Sequence, residues 1–235
     1  MNFNRSGQGT HTGKVRPHNE DSYLIDTELN LGILADGMGG HEGGEIASQI
    51  VVGAVRDEVR SGKPLAEALI RAHKAVLGAV KDGKGRSGMG STAIAVRFSD
   101  GNFEVVWVGD SRGYLWHEGT LIQLTTDHSL VQQLVEQGEI TAEEAMVHPQ
   151  RNYITQALGM SELHRLEVGQ VKGKFSPGQQ LLLCSDGLSG ELSKHEIADI
   201  LGLDISEQQK VDLLIQRALD NGGSDNITAV LFASE

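Results

Sequence analysis

Apolar residues change their spacing several times along the chain, and each change marks an element. Near the start, "SGQGTHTG" (6–13), "YLID" (23–26) and "LGILAD" (31–36) read as short strands. Two stretches at helical spacing follow. Within 44–60, Ile46, Ile50, Ala54 and Val55 fall on one face; within 64–82, Leu65, Leu69, Ala72, Val76 and Val80 do the same. Strand-like runs return in "STAIAVRF" (91–98), "FEVVWVGD" (103–110) and "GYLWHEGTLIQLT" (113–125). Asp100-Gly101 and the "HEGT" at 117–120 carry hairpin-turn chemistry between them. A polar helical region is expected over roughly 128–158. After it come strands in "HRLEVGQV" (164–171) and "QQLLLCSD" (179–186), helices near 193–202 and 206–221, and a final strand "NITAVLFA" (226–233). In the last helix Val211, Leu214, Ile215, Ala218 and Leu219 form the apolar stripe. This order lacks the regular alternation of a doubly wound sheet; it predicts an α+β protein of mostly antiparallel sheets with helices packed outside them.

Nothing in the composition breaks the chain up. It has 235 residues, four prolines and no linker-like or repeated segment, so a single domain over 1–235 is expected. With 20 basic against 32 acidic residues the net charge is −12, which argues against a nucleic-acid partner and is compatible with a concentrated acidic site for cations. One cysteine, Cys184, excludes an internal disulfide, and its apolar surroundings predict a small buried side chain. No apolar stretch approaches the roughly 18 residues that would span a bilayer, and the N-terminus carries no signal-like apolar segment. A cytoplasmic protein with no membrane partner is therefore the expectation.

The acids change the picture. "ILAD", "VVWVGD" and "LLLCSD" each end an apolar run on an aspartate: Asp36, Asp110 and Asp186. Asp21 directly precedes a strand, and Asp225 stands just ahead of the last one. A lone Asp-Gly is ordinary turn chemistry, and Asp82 and Asp100 fit that description. Five aspartates at strand ends are another matter, because antiparallel pairing gathers such ends on one edge. Clustered carboxylates repel and stay ionised together only beside a compensating cation. Oxygen ligands without paired His or Cys select hard ions such as Mg²⁺ or Mn²⁺. Two such ions can activate water for in-line attack on phosphorus.

The blocks "GKVRPHNEDS" (13–22), "LADGMGG" (34–40), "MGSTA" (89–93), "VGDSRGYL" (108–115), "TTDHSLV" (125–131), "LLCSDGL" (182–188) and "SDNITAV" (224–230) together resemble the type 2C, or PPM, metal-dependent protein phosphatases in their compact bacterial form. The resemblance implies a central β-sandwich of two antiparallel sheets flanked by helix pairs, with a flap-like segment near 140–160. It implies hydrolysis of phosphoserine and phosphothreonine by hydroxide bridging two Mn²⁺ or Mg²⁺ ions. By the same resemblance Asp36 bridges both metals, and the carbonyl of Gly37 completes one shell. Asp186 and Asp225 hold one ion, while Asp21, and Glu20 through water, stand around the other. Asp110 and Asp186 match a pair for a third, weaker ion, and Arg16 matches the phosphate-binding arginine. Gly39 and Gly40 would let the chain swing into the helix near Gly44. Met38 replaces the histidine of eukaryotic relatives, so the donor of the leaving-group proton is unassigned; a bound water, His41 or His128 are the options. The implied partners are phosphoproteins and an opposing Ser/Thr kinase, with a monomer as default. Two other functions fit less well: an inactive member serving as a binding module, and a hydrolase for a non-protein phosphoester.

Overall fold

The computed structural model describes residues 3–39, 43–161 and 165–234. Eleven strands form among them, together with seven helices. One sheet is built from β1 (Arg5–His11), β7 (Arg112–His117), β8 (Thr120–Gln123), β10 (Gln180–Cys184) and β11 (Ile227–Ala233), in the order β1-β11-β10-β7-β8. The other contains β2 (Asp21–Asp26), β3 (Leu31–Met38), β5 (Ala93–Ser99), β6 (Asn102–Val108) and β9 (Gly169–Lys174), in the order β2-β3-β5-β6-β9. The two-residue β4 (Gly90–Ser91) adds to the end of β3. All strand pairs are antiparallel.

Alternation along the central strands explains the layering. Side chains of successive strand residues point to opposite faces. Leu34, Ile94, Val96, Phe98, Leu181, Leu183, Val230 and Phe232 therefore meet between the sheets. Their neighbours Ile33, Ala35, Ala93 and Ala95 face the helix pair α1 (Gly43–Arg60) and α2 (Leu65–Lys81). On the far side Leu182, Cys184, Ala229 and Leu231 pack against α6 (Lys194–Leu201) and α7 (Glu207–Asn221). Strands buried on both faces read as continuous apolar runs, which is why "LLLC" and "ITAVLFA" show no polar alternation. The result is helices, sheet, sheet, helices, the sandwich expected from the sequence.

Several boundaries move. In α1 the buried stripe is Ala47, Val51, Val55 and Val59; Ile46, Ile50 and Ala54 flank it, only partly buried. Only the front of the 128–158 region is helical, as α3 (Leu130–Glu136) and α4 (Ala142–Val147). Gly138 at φ 73° breaks the first, and Pro149 holds His148 extended (ψ 139°) to end the second. The strand expected in 164–171 starts only at Gly169, where Trp107 at the end of β6 first offers a partner. The "DG" and "HEGT" turns are as expected, with left-handed Asp100 and Gly101 in one and Glu118 and Gly119 in the other.

Candidate active site

At one end of the sandwich a cleft of about 270 Å³ is lined by Arg16, Glu20, Asp36, Gly37, Asp110, Asp186 and Asp225, with Asn152 and Ile154 from the far wall. Both sheets contribute, so residues from opposite ends of the chain meet there. A larger groove of about 600 Å³, over Arg97, Phe103 and Lys172, shares none of these residues.

Pairing of β2 with β3 sets Asp21 directly opposite Asp36. Asp36 is not the last residue of its strand, because β3 continues to Met38 by switching partner from β5 to β4. Thr92 sits at the switch. Its N–H donates to Asp36 O (2.8 Å) and its Oγ1 accepts from Asp36 N–H (3.0 Å). Asp186 opens a short helix, α5 (Asp186–Ser189), that the sequence reading missed. Asp110 lies in the β6–β7 loop, and Asp225 stands two residues before β11. The acids thus lie at, or within two residues of, strand ends.

Gly37 is required by packing. A side chain there would run into the Gly44 carbonyl at the start of α1 and would meet Glu20 O at 2.6 Å. The glycine lets β3 pass directly under that helix. Met38 and Gly39 also line the cleft. The thioether of Met38 has no proton to give. Gly40 and His41 lie outside the described residues.

Electrostatically the site is a cluster of buried and partly buried carboxylates. Burial pushes the Asp21 carboxyl up to about 7, with Asp186 and Asp225 adding repulsion. Asp110 rises to about 8 for the same reason, beside Asp186 and Asp127. Asp36 and Asp186 are likewise raised, first by burial and then by their acidic neighbours. Burial makes the ionised form costly, and each neighbour adds to that cost. Arg16 is the nearby cation; its Nη2 donates to Asp225 Oδ2 at 2.6 Å, which raises its own pKa.

Two carboxylates keep an unpartnered buried oxygen, Asp21 Oδ1 and Asp186 Oδ1. Such an atom is expensive unless a ligand meets it. The other oxygen of Asp21 is fixed: Thr228 Oγ1 donates to Oδ2 at 2.6 Å and Ser185 Oγ at 2.9 Å. Among the described residues no three His, Cys, Asp or Glu side chains close into a cage by themselves. Sites for small hard ions are commonly completed by water and backbone carbonyls.

The sequence reading missed these supports. Asn226 Oδ1 accepts from Glu20 N–H, while its amide donates to Thr12 O and His18 O, tying the acidic loop to β11. Arg112 grips Asp127 through Nε and Nη2 behind Asp110. His128 does not line the cleft; burial lowers its pKa and its Nδ1 accepts from Gly109 N–H. One signal was present: Thr228 is a polar residue in an otherwise apolar strand. Cys184 is buried and its thiol pushed up to about 12, so it is no nucleophile.

Residues 8–230 match the family model described as Protein phosphatase 2C. The chain belongs to the protein phosphatase 2C family. It is 37% identical to the serine/threonine phosphatase stp of Listeria welshimeri, covering 94% of this chain and 92% of that one. It is 41% identical to the serine/threonine protein phosphatase PstP of Mycobacterium tuberculosis, over 93% of this chain and 43% of PstP. A structure of the PstP catalytic domain in complex with two manganese ions superposes with a TM-score of 0.85 at 35% identity, over 98% of each chain. For a protein phosphatase 2C member, the acidic cleft between the sheet ends is the place to look for chemistry.

Proposed function

We propose that this chain is a metal-dependent phosphoprotein phosphatase that removes phosphate from serine and threonine, working as one catalytic unit over 1–235. The observation that carries the reading is the convergence of Asp36, Asp110, Asp186 and Asp225 on one cleft, with the buried Asp21 directly opposite Asp36 in the β2–β3 pair, and with Asp21 Oδ1 and Asp186 Oδ1 buried and unpartnered. Family membership and the manganese-bound PstP domain support the same assignment.

The donor set fits Mn²⁺ or Mg²⁺: carboxylates in a buried cluster that is stable in its ionised form only beside cations. Asp36 would be a ligand to both ions, and the Gly37 carbonyl would complete the shell of one. Asp186 and Asp225 would hold one ion, Asp21 the other with Glu20 through water, and Asp110 with Asp186 a third, weaker one. Bound there, such ions supply an acidified water as nucleophile and positive charge against the phosphoryl oxygens. Arg16 has five N–H donors and spends one on Asp225, so the others can hold two phosphate oxygens and the charge that spreads over them during transfer. In the overall reaction water's oxygen bonds to phosphorus as the P–O bond to the side chain breaks. Water's protons are shared between the phosphate and the departing hydroxyl. Among the described residues no helix is long and apolar enough to cross a membrane. We read the protein as a cytoplasmic monomer whose substrates are phosphoproteins made by a Ser/Thr kinase.

The test is phosphopeptide hydrolysis by metal-stripped protein, with Mn²⁺ added back, beside Asp186→Asn. Restored turnover, with the variant near background, is expected. A folded protein with no turnover at any Mn²⁺ or Mg²⁺ concentration would leave the binding-module reading in its place.

A further inference from the structure

The loop Thr125–Ser129 bonds to two parts of the cleft wall at once. On one side, His128 and Gly109 exchange two hydrogen bonds: Gly109 N–H donates to His128 Nδ1 (3.2 Å) and His128 N–H to Gly109 O (3.0 Å). Gly109 adopts φ 107° immediately before Asp110, and a side chain on it would lie 2.6 Å from Thr92. The chain therefore enters Asp110 through a conformation that side-chain-bearing residues rarely adopt, and such conformations persist only when their surroundings over-determine them. Trp107 supplies the rest of the seat, with its Nε1–H on Thr126 O (2.8 Å) and its ring stacked on the imidazole. On the other side, Thr155 N–H donates to His128 O (2.8 Å) and Leu130 N–H to Tyr153 O (2.9 Å). These bonds bracket Ile154, which faces the cleft.

We propose that His128 is a positioning residue: its unprotonated Nδ1 fixes Gly109 and so aims the Asp110 carboxylate, while its backbone ties that aim to the cleft wall at 153–155. The inference rests on the reading of Asp110 as a cation ligand. It gives His128 a role other than proton donor, because Nδ1 is occupied as an acceptor and the ring is away from the cleft. Residues that orient a ligand from behind typically change metal affinity 10- to 100-fold when replaced.

The substitutions that separate acceptor from bulk are His128→Leu and His128→Asn. The Asn carbonyl oxygen takes the place of Nδ1; Leu fills space and accepts nothing. Mn²⁺ binding to the full chain would be followed by titration calorimetry, and backbone exchange at Gly109–Ser111 and Thr155 by hydrogen–deuterium exchange, with Asp110→Asn as reference. In His128→Leu the weakest Mn²⁺ step should soften about tenfold and both segments should exchange faster together. His128→Asn should stay near wild type. Folded Leu and Asn variants that are equally impaired, or a folded Leu variant with a wild-type isotherm and exchange, would overturn the proposal. If Leu does not fold, Asn decides: near wild type upholds the acceptor role, and weakened Mn²⁺ binding in a folded protein refutes it. If Asp110→Asn binds Mn²⁺ like wild type, it is the underlying assignment of Asp110 that fails.

Discussion

Arg16 and Asp225 form an ion pair that joins a cationic side chain to the acidic cleft, and its exposure separates it from the acids. The guanidinium is half exposed, whereas Asp21 and Asp110 are buried and Asp36 and Asp186 are partly buried in the cleft. An exposed pair contributes about 1 kcal/mol or less to folding, so Arg16 is expected to matter for turnover and little for stability. Arg16→Ala should lower kcat/KM on a phosphopeptide by about 100-fold while leaving the unfolding midpoint close to wild type. Arg16→Lys should recover only part of the loss, because an ammonium cannot hold two phosphate oxygens in the plane of a fork. Steady-state kinetics beside a denaturation curve checks both statements; an equal loss of stability and activity would mean that the arginine is structural.

At the scale of elements, the β6–β7 connection is set by a partly buried ion pair. Arg112 at the start of β7 binds both oxygens of Asp127, which comes from the segment after β8. Burial alone would lower the arginine's pKa; the bonds and charge of Asp127 outweigh it. Removing one partner of such a pair leaves a charge without compensation, at a cost of about 3–5 kcal/mol. Asp127→Ala should therefore lower the urea midpoint substantially. The double change Arg112→Met with Asp127→Leu should lie closer to wild type than the single one, since no lone charge remains. A single variant within a few tenths of a kcal/mol of wild type would show the pair to be dispensable. The sequence offered both residues inside quoted blocks, but 15 positions apart and with nothing to say that they meet.

For the whole molecule, the consequence of gathering acids in one cleft is a stability that depends on pH in an unusual direction. Asp21 at about 7 and Asp110 at about 8 stand far above the ordinary carboxylate value of about 3.9 of an unfolded chain. The folded metal-free protein then holds more protons than the unfolded chain across that window. Its stability is fully present below the unfolded value and falls as pH rises through the folded ones. Metal-free protein should accordingly unfold at a lower temperature at about pH 8.5 than at about pH 6, and saturating Mn²⁺ should remove or reverse the difference by favouring the ionised acids. Calorimetry with and without Mn²⁺ reads this directly. A flat profile in the metal-free protein would mean that the carboxylates are solvated after all.

The order and type of most elements were legible in the chain, because strand and helix periods depend on neighbours a few positions away. So were the acids and the kind of ion they suit, since ligand chemistry belongs to the side chain itself. The sequence also placed hairpin turns at Asp100-Gly101 and at Glu118-Gly119, where local backbone preference decides. Tertiary structure alone decided what stands behind each acid. Thr228 reaches Asp21 across 207 positions, Ser185 across 164, and Asn226 reaches Glu20 across 206. Those contacts follow from strand order and register in two packed sheets. A one-residue slip in any of the strands would turn the hydroxyl to the opposite face. Local pattern fixes which face a residue takes along its own strand, and only the assembled sandwich fixes what that face meets.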